Sequence, residues 1–415
     1  MLPHKLIIKY LAVIGVVVSK EGAKATSAVW TFPSVIFSAM LIAWAAEAAQ
    51  FLISQGLALA ILAWLQTLPE FAVEGVIAWA AGKDPAKVHL ATANLTGAIR
   101  LLPGLGWPLI FFTAFIFNRI KNKSNLKEIV LEKEHSVEVL SLLPPLIYFG
   151  VIFLKGTFNI IDSLVLILIY CAYLYCLNKV PPQEAEDIDE LEPIPRGILR
   201  LRPLFRNSVI TGLFLAGGLI LLFVAEPFLQ SMLGLALTLG VSEFVFVQWV
   251  APFLSEFPEK VSAFYWARQV KKSPIALMNM VSSNINEWTM LAAVIPIVFS
   301  ISSGGFSTIQ FDQLQLTEIL LTMVQSSLAF LLLLNMKFSW YEALGLFLLW
   351  AVQFARPGLR EEMVFVYIAC IVFCLIQILL GWRKPQAFRD FSEILRNRAL
   401  VPRPSPHGVN PEKRK

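Results

Sequence analysis

Histidine and cysteine are scarce in this 415-residue chain, with four of each. The histidines stand far apart, at positions 4, 89, 135 and 407, so no pair has the spacing of a metal centre. Cys171, Cys176, Cys370 and Cys374 all fall inside apolar runs, where thiols behave as small hydrophobes, and neither a disulfide framework nor a thiolate site follows. An intramembrane metalloprotease, which needs such ligands at metal spacing, is argued against by the same counts. Charge is scarce too. Asp, Glu, Lys and Arg supply 15% of the residues, against about 25% in an ordinary soluble domain. Hydrophobic residues make up 57% and mean hydropathy is +0.68. A soluble globular protein is thereby excluded, and an all-α polytopic membrane protein is expected.

Apolar runs of about 17 residues or more can cross the hydrocarbon. They occur near 29–53, 57–81, 88–117, 137–154, 158–177, 208–232, 241–269, 275–300, 317–335, 339–355 and 362–382, which makes eleven spans. Residues 1–28 hold a further short apolar segment, for which an interfacial helix, an extra helix and a signal-like segment all stay open. Lys and Arg between the spans divide 23 to 9 between the two sides, with Arg100 and Lys260 set aside as intramembrane. The richer side is expected to be cytoplasmic. It carries the linker 178–207, with six acids and five bases, and the basic tail 383–415. Residues 29–177 and 208–355 then form two five-helix halves of opposite orientation, and 356–382 is an extra helix. The expected location is a multi-pass protein of the plasma (inner) membrane with a cytoplasmic C-terminus.

Opposed halves invite a search for repeats. "AEAAQF", "LPEF" and "NLTGAIR" in the first half answer "AEPFLQ", "FPEK" and "NMVSSNINE" in the second. Glu47 pairs with Glu226, Glu70 with Glu259, and Asn94 with Asn279. Asp162 in "IIDSLVLILIYCAYL" pairs with Glu342 in "WYEALGLFLLWAVQF". The last two sit near span starts, where solvated helix caps are expected. Glu47 and Glu226 read as helix-end or interhelical contacts.

The Pro-Glu pairs carry the chemistry. Inside a helix Pro69 would free the carbonyl of Leu65, and Pro258 that of Leu254. Freed carbonyls at membrane depth persist only where protein, water or an ion satisfies them. A carboxylate placed directly after each proline puts hard oxygen ligands beside them, as Na⁺ or Ca²⁺ requires. Asn94 and Thr96 in the first half, and Ser282, Ser283, Asn284 and Glu287 in the second, add oxygens from the next span. Ser283 and Glu287 stand four apart and share a helix face. Glu74, one turn after Glu70, faces either the ion or a water-filled vestibule. Glu256 either binds an ion or pairs with Lys260 or Arg100.

"FPEKVSAFYWARQVKKSPIALMNMVSSNINE" resembles the second α-repeat of the calcium/cation antiporter superfamily, the sodium/calcium exchangers, and "LQTLPEFAVEGV" with "ANLTGA" resembles a weakened first repeat. The resemblance implies a core of five plus five inverted helices and exchange of Ca²⁺ or a related cation for Na⁺ or H⁺ by alternating access. The family's two essential glutamates fall on Glu70 and Glu259. Its threonine and serine before the proline fall on Gln66 and Thr67, and on Ser255 and Glu256. Its later serine falls on Ala98 and Ser283, and its Asn or Asp on Leu102 and Glu287. The first repeat thus lacks two ligands and gains Arg100, and the second gains Glu256 and Lys260. The expected cation ligands are Glu70, Glu259, Ser283, Glu287, Glu256, Thr67, Ser255, Asn94, Asn279 and Glu74, clustered on the second repeat. No cofactor is expected; the ligands are transported Ca²⁺, Na⁺ or H⁺, and the partners are the lipid bilayer and inorganic cations, with no nucleic acid and the oligomeric state left open. The damaged first repeat also motivates an alternative, a transporter-derived protein that has lost cation exchange and serves as a scaffold or carries another solute.

Overall fold

The computed structural model describes residues 25–49, 67–178 and 191–398. The segment before residue 25, the Leu65 carbonyl, Gln66, linker residues 179–190 and the tail from 399 lie outside the described residues. The first half runs α1 (Ala28–Ala49), α2 (Leu68–Lys83), α3 (Val88–Leu101), α4 (Trp107–Asn122), α5 (Ser136–Ser141), α6 (Leu143–Lys155) and α7 (Ile160–Leu177). A short α8 (Pro193–Leu199) leads to the second half: α9 (Pro203–Leu239), α10 (Glu243–Ser255), α11 (Phe257–Ala267), α12 (Ser273–Asn286), α13 (Ala292–Ser303), α14 (Gln313–Leu333) and α15 (Trp340–Ala355). The extra helix is α16 (Arg360–Leu379), followed by α17 (Gln386–Arg398). Among the described residues eight helical stretches are long and apolar enough to cross a membrane, and shorter apolar helices lie between them.

Both halves share one irregularity. A π-helical stretch, Leu102–Gly106, joins α3 to α4, and another, Glu287–Leu291, joins α12 to α13. Their first residues, Leu102 and Glu287, are the two positions that the repeat pairs. Such single-turn widenings recur at functional sites, because they re-aim side chains within an otherwise regular helix.

Four short strands bind the halves together: β1 (Glu128–Val130), β2 (Thr157–Phe158), β3 (Ile309–Gln310) and β4 (Lys337–Ser339). β1 pairs antiparallel with β4, and β2 with β3. β1 and β3 each follow the π-interrupted helix of their half, while β2 and β4 each precede its last helix. Each pair therefore takes one strand of each kind, as a two-fold exchange of the halves requires. The pairing also puts the loop at 118–136 on the same side as that at 336–338, in agreement with the lysine and arginine count.

Small and hydroxylated residues let the leading helices of the halves meet. Ser38 Oγ of α1 donates to the Gly217 carbonyl of α9 at 2.7 Å, and the Thr31 and Ser231 hydroxyls lie 2.9 Å apart. Glu47 is buried on α1, whereas Glu226 is exposed on α9, so this pair of glutamates has no common environment. α3 approaches α10 so closely that a Cβ on Gly97 would stand 1.7 Å from the Gln248 carbonyl oxygen.

Two expectations need correction. Asp162 and Glu342 do cap their helices, accepting from the Asn159 and Ser339 backbone N–H at 2.8 and 2.7 Å. They are not solvated, however: they are 1% and 3% exposed, and Lys155 and Arg383 fold over them as ion-pair partners. Pro258, in turn, does not kink a continuous helix. α2 begins at Leu68 and α11 at Phe257, so Pro69 and Pro258 fall in a first turn, where a missing N–H leaves no bond unmade. α10 stops at Ser255 and Glu256 forms the turn between the two pieces.

Candidate functional site

Because α2 and α11 start inside the bundle, Glu70 and Glu259 occupy the first turn of a helix whose N-terminal end carries partial positive charge. Both side chains are 1% exposed. Glu256 sits in the turn before α11, and Glu287 opens the π stretch after α12. Carboxylate oxygens of Glu70, Glu256 and Glu287 lie within 4.8 Å of one another, all buried. Both halves contribute, one glutamate from the first and two from the second. Glu259 is within electrostatic reach of Glu70 and of Glu287.

These oxygens lack protein partners. Both oxygens of Glu70 and of Glu259, Oε1 of Glu256 and Oε1 of Glu287 accept no hydrogen bond, and neither do Ser283 Oγ and Asn286 Oδ1 make one. Unmet buried polar atoms are rare in folded proteins and destabilising in proportion to their charge. Hard oxygens of this kind are the donor type that Ca²⁺ and Na⁺ take.

Among the described residues a single cation enters the cluster. Lys260, 6% exposed, donates from Nζ to Glu256 Oε2 at 2.7 Å, four residues back on the next turn. Arg100 does not share this role. Its guanidinium turns away to Glu318 Oε2 at 2.5 Å, Gln353 Oε1 at 3.0 Å and the Thr96 carbonyl at 3.1 Å. Glu318 takes a second guanidinium from Arg360, while Gln248 donates to it at 2.9 Å.

The remaining sequence candidates divide. Asn94 Nδ2 donates to Glu74 Oε2 at 2.5 Å, leaving Glu74 Oε1 and Asn94 Oδ1 unpartnered, so these two form a separate pair. Thr67 Oγ1 accepts from Asn286 Nδ2 at 2.5 Å and joins the two halves at the site. Ser255 turns its hydroxyl proton back to the Ala251 carbonyl at 3.0 Å. Asn279 is buried on α12. Asn284 Nδ2 donates to the Ile99 carbonyl at 3.0 Å, a bridge between α12 and α3 rather than an offer of oxygen to the cluster. Sequence reasoning missed Asn286, which occupies an unspecified position of the motif and had no signal. It also missed Glu318, which did: it is the one carboxylate in the apolar stretch 313–333, and a charge inside a span calls for a partner.

Known proteins fit this geometry. The family model described as sodium/calcium exchanger protein matches residues 23–178 and 209–356. The solved structure of the H⁺/Ca²⁺ exchanger CAX is 35% identical, covers 90% of this chain and 92% of its own, and superposes with a TM-score of 0.81. Structures of the sodium-calcium exchanger NCX_Mj, at 18% identity, reach 0.51 over 81% of this chain and share the fold. No curated protein sequence matches the chain.

Proposed function

The chain belongs to the sodium/calcium exchanger protein family, whose members are cation antiporters, and on that premise we propose that it exchanges a divalent cation of the Ca²⁺ class for protons at the Glu70, Glu256 and Glu287 cluster. The observation that carries this reading is the set of buried carboxylate oxygens from both halves, within 4.8 Å of one another and largely without partners. Glu259 and Ser283 complete the ligand set. Two antiparallel halves that share one site at their junction are the arrangement that alternating access uses, since rocking one half against the other opens the site to either side.

Protons rather than Na⁺ are favoured as the counter-ion on two grounds. Several carboxylates packed into one buried site cannot all stay ionised once the divalent cation leaves. The relative with substantial sequence identity is described as an H⁺/Ca²⁺ exchanger, whereas the sodium-coupled ones share the fold alone. The lysine and arginine distribution supports a cytoplasmic C-terminus. The loss of exchange is disfavoured, because a site released from ion binding would be expected to fill or pair its orphaned oxygens.

Reconstitution tests the reading. Vesicles containing the protein should take up ⁴⁵Ca²⁺ when an outward proton gradient is imposed in Na⁺-free medium, and Glu70→Gln should weaken the apparent Ca²⁺ affinity of that uptake. Uptake driven only by an outward Na⁺ gradient would transfer the role to Na⁺. Absence of uptake with either gradient would favour a scaffold or a carrier of another solute.

A further inference from the structure

A second polar site lies apart from the carboxylate cluster, where α3, α10, α14 and the α15–α16 turn meet. Around it stands a cavity of about 10 Å³, lined among others by Arg100, Trp249, Glu318, Arg356 and Arg360. A volume of that order admits one water-sized particle. Three guanidinium groups face one carboxylate, which leaves an excess of two positive charges. Both oxygens of Glu318 are already taken, Oε1 by Arg360 and Oε2 by Arg100 and Gln248.

What remains uncommitted is a surplus of donors. Arg100 uses three of its five N–H groups, on Thr96, Gln353 and Glu318. Trp249 is 6% exposed, and its indole N–H is buried without a partner, beneath the Arg100 guanidinium, which stacks 5.1 Å from the ring centroid. An indole nitrogen can only donate. A cation is repelled here, and a neutral water would leave the positive excess in place. We propose that this cavity is a binding site for a monatomic anion of the halide class, drawn from the aqueous phase at the exposed Arg356 rim. The bound halide accepts from Trp249 and the arginines, and it fastens the α15–α16 turn to α3 and α10. The site is independent of the transported cation, and its test does not depend on exchange activity.

The experiment is thermal unfolding of the purified full-length protein in potassium chloride, bromide and gluconate at equal ionic strength. Wild type should melt higher in chloride and in bromide than in gluconate, by roughly 1 °C or more near tenfold saturation. The increment should level off with concentration, unlike a general salt effect. Trp249→Phe keeps an aromatic face while removing the donor, and Arg356→Gln changes an exposed side chain. Loss of the halide increment in either variant, with the gluconate melting point retained, places the ion in this cavity, and so does an anomalous bromide peak beside Trp249 Nε1 in a crystal. A wild-type protein with no saturable halide response has only water there, and the proposal falls. An increment that survives unchanged in both variants means an adventitious ion only, bound elsewhere, and equally overturns it.

Discussion

Replacing Lys260 by Met, which keeps the length of the side chain and removes its charge, tests the electrostatics of the cation site directly. At 2.7 Å from Glu256 Oε2, and with an effective dielectric of about 20, the pair attracts by about 6 kcal/mol. Desolvation of both groups offsets much of that. Removing one partner, however, leaves the other charge buried, which destabilises by about 3–5 kcal/mol. At about 1 °C per kcal/mol for a chain of this size the melting temperature should fall by roughly 3–6 °C in chelator. Two rescues are expected. Ca²⁺ supplies the missing positive charge and binds only the folded state, so it should restore a larger increment in Lys260→Met than in wild type. A second substitution, Glu256→Gln, removes the stranded charge and should recover most of the loss in the absence of metal. The assay is a double-mutant cycle by thermal unfolding, with and without Ca²⁺. If Lys260→Met melts like wild type in chelator, and Glu256→Gln adds nothing to it, the ammonium does not compensate Glu256 and the reasoning fails.

Three further substitutions probe the site and its frame. Glu70→Gln and Glu287→Gln each remove a charged ligand; at about 1.5–3 kcal/mol for such an interaction, apparent Ca²⁺ affinity in vesicle uptake should weaken by about 10- to 100-fold. Their melting temperature should hold or rise, because the replaced oxygens are unpartnered, and unchanged affinity in both would remove them from the ligand set. Ser283→Ala should impair ⁴⁵Ca²⁺ flux more than Asn94→Ala, since the Ser283 hydroxyl lies in the cluster beside Glu259 whereas the Asn94 amide is held by Glu74; the reverse order contradicts the assignment. Gly97→Ala drives a Cβ to 1.7 Å from the Gln248 carbonyl, which forces α3 and α10 apart and should destabilise by roughly 1–3 kcal/mol. An alanine variant with wild-type melting would show that this contact is not tight in solution.

Much of the fold was legible in the sequence because lipid imposes length and apolarity on every span. As far as the described residues reach, with 50–66 outside them, the apolar runs correspond to helices or to broken pairs of helices. The inverted repeat was legible from four acidic or amide landmarks in the same order. The helix starts at Leu68 and Phe257 were not, since proline is compatible both with a kink inside a helix and with the first turn of a new one. The π stretches were invisible as well. Neither Leu102 nor Glu287 carries a local signal for a widened turn, and only their equivalent placement in two halves makes the pair meaningful. The burial of Asp162 and Glu342 escaped notice because their partners, Lys155 and Arg383, come from other elements and reach them only in the folded chain.

The site shows where local reading stops and energetics takes over. A glutamate before a proline, as in "SEFPEK", could equally well face a basic neighbour on the next turn or a bound cation, and the position of Glu256 suits either: Oε2 holds Lys260, Oε1 has no hydrogen-bond partner, and its carboxylate lies within 4.8 Å of those of Glu70 and Glu287. Arg100 had the same ambiguity and resolved it the other way. Its four-residue spacing from Thr96 turns the guanidinium along α3 toward α14, where it pairs with Glu318, so it is lost to the carboxylate cluster. The contrast separates two uses of buried charge. Around Glu318 both carboxylate oxygens are matched by donors, and it is positive charge that is in excess. Around Glu70 one ammonium faces four carboxylates, and most of the oxygens have no donor at all. Such a deficit is destabilising unless mobile positive charge enters from outside. A protein that needed the cluster only for packing would gain stability by replacing any of the four with an apolar or amide side chain. Its persistence at the junction of two inverted halves is therefore best explained by ions that come and go.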